Sequence, residues 1–292
     1  MAVLRVGCPM WAHPPWVGRF LSPGNRGREL EEFARWCNAV EGNTTFYAVP
    51  SERTIARWVE QAPVDFRFAF KVPRHVTHEL RLRGEDTVRA LGEFLDAIDP
   101  LGERIGPVQL QLPPSFGPES VPTLRSFVAR LPVGYRWMVE LRHPGFFDGG
   151  LAHRAVDGLL HDAGVGRVVL DTRPLYAASP QTDAAVEERR TKPKLPVLTD
   201  VVGATPIVRV IGADDADTTA DGLLAWSARV ADWIADGREP YLFVHQPENL
   251  ESPRLARMFH AEVAAAVVDL APLHKPLPVV PATEVLWQDS LF

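Results

Sequence analysis

The chain has 292 residues, 46% of them hydrophobic and 23% charged, with a formal net charge of −6. This is enough apolar chain for one large domain or two small ones, and the overall charge does not mark a nucleic-acid binder. Two cysteines, Cys8 and Cys37, exclude a disulfide framework. The start lacks a signal-peptide pattern and no apolar stretch is long enough to span a membrane, so a cytoplasmic setting is expected.

In chain order, the first apolar run is VLRVGC (3–8), read as a buried strand. RELEEFARWC (28–37) has helical spacing, with Leu30, Phe33, Ala34 and Cys37 on one face. NAVEGN (38–43) reads as a strand, and SERTIARWVEQA (51–62) as a helix capped by Ser51. Strand and helix then alternate: FRFAFKV (66–72), TVRALGEFLDAI (87–98), GPVQLQL (106–112), VPTLRSFVARL (121–131), YRWMVELR (135–142), LAHRAVDGLLHDAG (151–164) and GRVVLDT (166–172). After a break come TPIVRVIG (205–212), DGLLAWSARVADWIADG (221–237), EPYLFVH (239–245) and SPRLARMFHAEVAAAVV (252–268).

Eight strands with helices after seven of them predict a parallel sheet, because parallel neighbours need a crossover. Eight units within about 265 residues suit a single (β/α)8 TIM-type barrel over 1–270. An open doubly wound sheet is the alternative, but VGCPMW (6–11) is not the Gly-rich phosphate loop such a sheet carries. Residues 173–203, with four prolines and the mixed charges of EERRTKPK, read as a long exposed loop replacing the sixth helix. Residues 271–292 read as a Pro-rich tail.

Chemistry in such a barrel gathers where the strands run out. The polar residues there are Cys8 and Trp11; Glu41 and Asn43; Lys71 and Arg74; Gln109 and Gln111; Glu140, Arg142 and His143; Asp171; Arg209; and His245. Glu41, Glu140 and Asp171 are the candidate bases or metal ligands, with His143 and His245 able to join them. A divalent metal is compatible with this set, but no local signature such as H-E-x-x-H specifies one. Lys71, Arg74, Arg142 and Arg209 suit a phosphate or carboxylate. Trp11, Phe46, Tyr47 and Phe116 could stack on a base or sugar. Inward-facing charges could equally form a satisfied core network, for example Glu41 with Lys71 or Glu140 with Arg209.

The segments VEGNTTFYAVPS (40–51), FAFKVPRHVTH (68–78), GPVQLQLPPSF (106–116) and VELRHPGFF (139–147) occur in an order that resembles the YecE-like family, domain of unknown function 72. The resemblance covers most of 3–268 and implies a TIM-type barrel, without implying a particular reaction. It aligns the family's recurring motif residues with Glu41, Asn43, Thr45, Phe46 and Tyr47; with Lys71, Arg74, Thr77 and His78; with Gln111; and with Glu140, Arg142 and His143. The first and last strand ends, GCPMW and VHQPEN, depart from the family pattern, so His245 is carried by its position alone.

The final QDSLF looks like a bacterial sliding-clamp-binding peptide, with Gln288 as a polar hook and Leu291 and Phe292 as apolar anchors. The expectation is therefore an enzyme acting on a phosphate-bearing ligand, possibly nucleic acid and linked to DNA metabolism. The alternatives are an enzyme for a small anionic metabolite such as a sugar phosphate, and a non-catalytic nucleic-acid or clamp adaptor.

Overall fold

A computed structural model describes residues 1–279 except Val202. Its eight strands are β1 (Arg5–Gly7), β2 (Ala39–Gly42), β3 (Arg67–Lys71), β4 (Ile105–Gln111), β5 (Arg136–Glu140), β6 (Gly166–Asp171), β7 (Ile207–Ile211) and β8 (Tyr241–His245). All seven ladders are parallel and run in the order β1-β8-β7-β6-β5-β4-β3-β2. The two end strands, β1 and β2, meet and close the barrel. The Asn38 side chain stands in for a ladder there: its Nδ2 donates to the Leu4 carbonyl at 2.8 Å and its Oδ1 accepts the Val6 N–H at 2.8 Å. Beyond it the Glu41 N–H donates to the Cys8 carbonyl at 3.0 Å. Gly7 permits this approach, since a Cβ there would lie 2.1 Å from the Ala39 carbonyl oxygen.

The outer layer comprises α1 (Glu29–Trp36), α2 (Glu52–Gln61), α3 (Gly84–Ile98), α4 (Val121–Val128), α5 (Leu151–Asp162), α6 (Arg173–Ala177), α7 (Asp183–Thr191), α8 (Ala216–Leu224), α9 (Ser227–Ala235) and α10 (Ser252–Ala266). The faces follow from the sequence spacing. α1 buries Leu30, Phe33 and Ala34, and α2 buries Ile55 and Trp58 behind a Ser51 side chain that accepts the Thr54 N–H.

Two expectations are corrected. Residues 173–203 are not a long loop: α6 and α7 lie within them, so helix follows every strand. Thr182 caps α7 by accepting the Ala185 N–H. The EERRTK charges (187–192) form i,i+3 and i,i+4 pairs, Arg190 with Glu187 and Lys192 with Glu188, which support the helix rather than a solvated loop. The single helix expected over 221–237 is two, α8 and α9, and Trp226 at the junction is buried. Among the described residues no helix is long and apolar enough to cross a membrane.

Candidate functional site

Inside the barrel, Ala39, Ala69, Met138, Val168, Ile207, Tyr241 and Phe243 form an apolar layer. Side chains alternate along a strand, so the residue two further on points inward one layer higher. From Ala39, Ala69, Met138, Ile207 and Phe243 that step reaches Glu41, Lys71, Glu140, Arg209 and His245. These five converge below the mouth at the strand C-terminal ends, all buried.

Arg209 organises the cluster. Its Nη1 donates to Glu140 Oε2 at 2.6 Å and its Nη2 to Glu41 Oε2 at 3.0 Å, while its Nε sits 2.5 Å from Glu41 Oε1 in ion contact without hydrogen-bond alignment. Arg142 Nε donates to the other Glu140 oxygen at 2.6 Å. Glu41 Oε2 also faces His245 Nε2 at 3.1 Å, Asn43 Nδ2 at 3.2 Å and Lys71 Nζ at 3.7 Å. Burial opposes the charge on Glu140, but Arg142, Arg209 and Lys71 outweigh it and hold the carboxyl at about 2. Glu41 is likewise kept well below the usual carboxylate range, against burial, by Arg209, Lys71 and His245. Burial and Arg209 push His245 down to about 4, so at neutral pH the imidazole is uncharged. Burial and Arg209, partly offset by Glu41 and Glu140, bring Lys71 down to about 7.

At neutral pH the two glutamates are therefore fixed anions and poor proton acceptors, and Lys71 is the group poised to exchange a proton. Gln109 pairs in register with Lys71 across β3 and β4, and it is fully buried. Neither its amide nitrogen nor its amide oxygen has a hydrogen-bond partner among the described residues, and the same holds for Asn43 Oδ1. Buried polar atoms are normally satisfied, so these atoms are available to a ligand or water. In the sequence Gln109 is one of three strand-end amides with Asn43 and Gln111; the register singles it out.

The other predicted residues divide. Gln111 is buried and pairs in register with Glu140. His78 is half-buried, its ring edge-on to Phe46 at 5.1 Å, and is pushed down to about 4 by burial, Arg142, Arg74 and Arg81. It sits on a π-helical turn, His75–Glu79, followed by Arg81 and Leu82 at φ 53° and 62°. Strained backbone of this kind recurs at functional sites. Tyr47 lies on the rim with 76% exposure. Arg74 is exposed and 3.5 Å from Glu79. His143 folds back to accept the Gly145 N–H at 3.1 Å and caps its own turn.

Asp171 is not brought to the cluster. Leu170, not Asp171, pairs in register with the inward Arg209, so Asp171 faces the helix layer. There it accepts from Trp226 Nε1 at 2.8 Å and from Arg173 Nε and Nη2 at 2.9 and 2.7 Å. A place among the catalytic carboxylates does not fit this geometry. Nor does a metal. Among the described residues no three His, Cys, Asp or Glu side chains converge to hold one, and Arg209 occupies the position between Glu41 and Glu140 where a cation would bridge them. Gln288, Leu291 and Phe292 lie outside the described residues.

A cavity of about 710 Å3 opens at the opposite end of the barrel, lined by Arg67, Asp99, Tyr135 and Arg136 among others. Its lining mixes acids and bases and carries no unpartnered buried polar atom among the described residues, so size alone does not identify the site.

A family model described as "Protein of unknown function DUF72" matches residues 5–279. The chain belongs to this family. It is 38% identical over 288 residues to the UPF0759 protein YecE of Escherichia coli K12, covering 99% of each chain. Its fold matches the crystal structure of a DUF72 family protein from Thermotoga maritima with a TM-score of 0.65 at 22% identity, covering 89% of this chain and 98% of that one. A DUF72 family protein from Enterococcus faecalis gives 0.65 at 18% identity, covering 89% and 95%. These two likenesses show the TIM-like barrel. No reaction comes with any of these names.

Proposed function

We propose that this DUF72 chain is an enzyme for a small anionic metabolite, taken in at the strand C-terminal mouth, with Lys71 as the group that exchanges a proton with it. The observation that supports this is the pairing of a buried amine with the unpartnered Gln109 amide in the adjacent strand. Ligand sites orient their occupants with a few such preformed polar groups. The charge sum favours an anion: Glu41 and Glu140 are neutralised by Arg209 and Arg142, and Lys71 adds one positive charge when protonated. Depth favours a small molecule over a nucleic-acid backbone, since Glu41, Gln109 and Glu140 are 0% and Lys71 5% exposed. Nothing among the described residues adds to the nucleic-acid or clamp-binding readings of the sequence.

The test is a thermal-shift screen of phosphorylated and carboxylated metabolites against the wild-type chain, Lys71→Met and Gln109→Leu. A ligand at 100 times its Kd stabilises by about 2.7 kcal/mol, several degrees for a chain of this size. Such a shift is expected in the wild type and lost in both variants. No shift with any anion, or equal shifts in all three proteins, would remove the proposal.

A further inference from the structure

We propose that Lys71 is an imine-forming lysine and that the substrate carries an aldehyde or ketone beside its anionic group. This rests on the reading of the mouth as a small-anion site and names the chemistry of that ligand.

The first ground is compositional. Of the 31 lysines and arginines only four are lysines: Lys71, Lys192, Lys194 and Lys275. Among the described residues the other buried cations, Arg5, Arg167 and Arg209, are arginines, and each is held in an ion pair. Where this chain needs a buried cation for structure it uses the residue that cannot lose its proton. At Lys71 it has instead a primary amine, which in its neutral form is a nucleophile.

The second ground is geometric. The amine is 3.7 Å from Glu41 Oε2, beyond hydrogen-bond reach, while that carboxylate is already engaged by Arg209, His245 and Asn43. Lys71 is thus held near an anion without being locked to it. Gln109, in register beside it, offers an amide N–H and a carbonyl without partners among the described residues, a donor for a carbonyl oxygen and an acceptor for the hydroxyl that replaces it. Burial, and after it the Arg209 guanidinium, favours loss of the ammonium proton, so a neutral fraction is present near pH 7.

The step balances without an added oxidant or reductant. The Nζ lone pair attacks the carbonyl carbon and a C–N bond forms. The C=O π pair moves to oxygen, which takes up a proton as the nitrogen releases one, giving a carbinolamine. The hydroxyl then takes up a proton from solvent, equivalent to the one the ammonium shed, the C–O bond breaks, water leaves with the former carbonyl oxygen, and the nitrogen lone pair closes the protonated C=N. That iminium carries the charge of the ammonium it replaces, in front of the same Glu41 carboxylate.

The experiment is reductive trapping on the full chain. The protein is incubated at pH 7 with sodium cyanoborohydride and glyceraldehyde 3-phosphate or pyruvate, then analysed by intact mass and peptide mapping. Lys71 is expected to be modified at least ten-fold faster than Lys192, Lys194, Lys275 and the N-terminal amine. Gln109→Leu should slow labelling of Lys71 while leaving the other three lysines unchanged, and Lys71→Arg, checked for folding by circular dichroism, should abolish the fast adduct. Equal labelling of all four lysines, or none at Lys71, overturns the imine. An anion that raises the wild-type melting temperature through Lys71 and Gln109, while no probe modifies Lys71, overturns the imine and leaves the small-anion reading standing. Absence of both overturns the two together.

Discussion

Arg209 is the residue on which the cluster depends. It is 2% exposed and lies between two fully buried glutamates, of which Glu140 also pairs with Arg142 while Glu41 otherwise has Lys71 at 3.7 Å. Removing one partner of a buried ion pair leaves the other charge desolvated and unpaired, at a cost of about 3–5 kcal/mol. Arg209→Ala is expected to lose that much in urea denaturation, and a loss under about 1 kcal/mol would show that the glutamates are satisfied elsewhere. Residues at this scale were unevenly legible in the sequence. Glu41, Lys71 and Glu140 fall on inward positions of strands whose ends are plain, and they do converge. Asp171 also ends a strand, but a phase difference of one residue turns a side chain to the opposite face, and only the pairing of Leu170 with Arg209 reveals that phase.

Among the elements, the seam between β1 and β2 carries the most specific demand. Asn38 reads in the sequence as an ordinary strand residue. In the barrel its amide supplies both a donor and an acceptor across the seam, and Gly7 makes room for it. Asn38→Ala leaves the Val6 N–H and the Leu4 carbonyl without that partner, which should cost about 1–3 kcal/mol. Hydrogen exchange at the Val6 amide should rise in that variant while the β4 and β5 amides stay protected. Uniform exchange increases across the sheet would instead mean that the seam is not a local weak point. The segment 173–203 departs from the loop its composition predicts for a related reason. Proline and charge density suggested a loop, whereas the Thr182 cap and the Glu187–Arg190 and Glu188–Lys192 pairs act within one turn and suffice for a short helix.

At the scale of the whole molecule, the buried network sets the response to pH. His245 and His78 sit at about 4 against an ordinary 6.5, and Glu140 at about 2 against 4.5. Each binds fewer protons folded than unfolded, so each contributes stability that is lost as pH falls, between 6.5 and 4 for the histidines and between 4.5 and 2 for Glu140. Lys71, at about 7 against 10.5, adds a further rise in stability from pH 7 to 10.5. Urea midpoints across pH should fall steeply below 6.5, and Lys71→Met should flatten the alkaline rise. An unchanged alkaline limb in that variant would show that Lys71 is not depressed. By itself the sequence determined the barrel, because the β/α alternation and the period-two apolar strands are local properties that require a parallel sheet. It also pointed to most of the side chains that converge with Arg209, because strand ends in such a barrel share one face. The tertiary structure decided which strand-end residues meet, that Arg209 fills the space between the two glutamates, and that the Gln109 amide has no partner among the described residues. Those facts depend on register and on distances between residues far apart in the chain, such as the 168 positions that separate Glu41 from Arg209, and no local pattern encodes them.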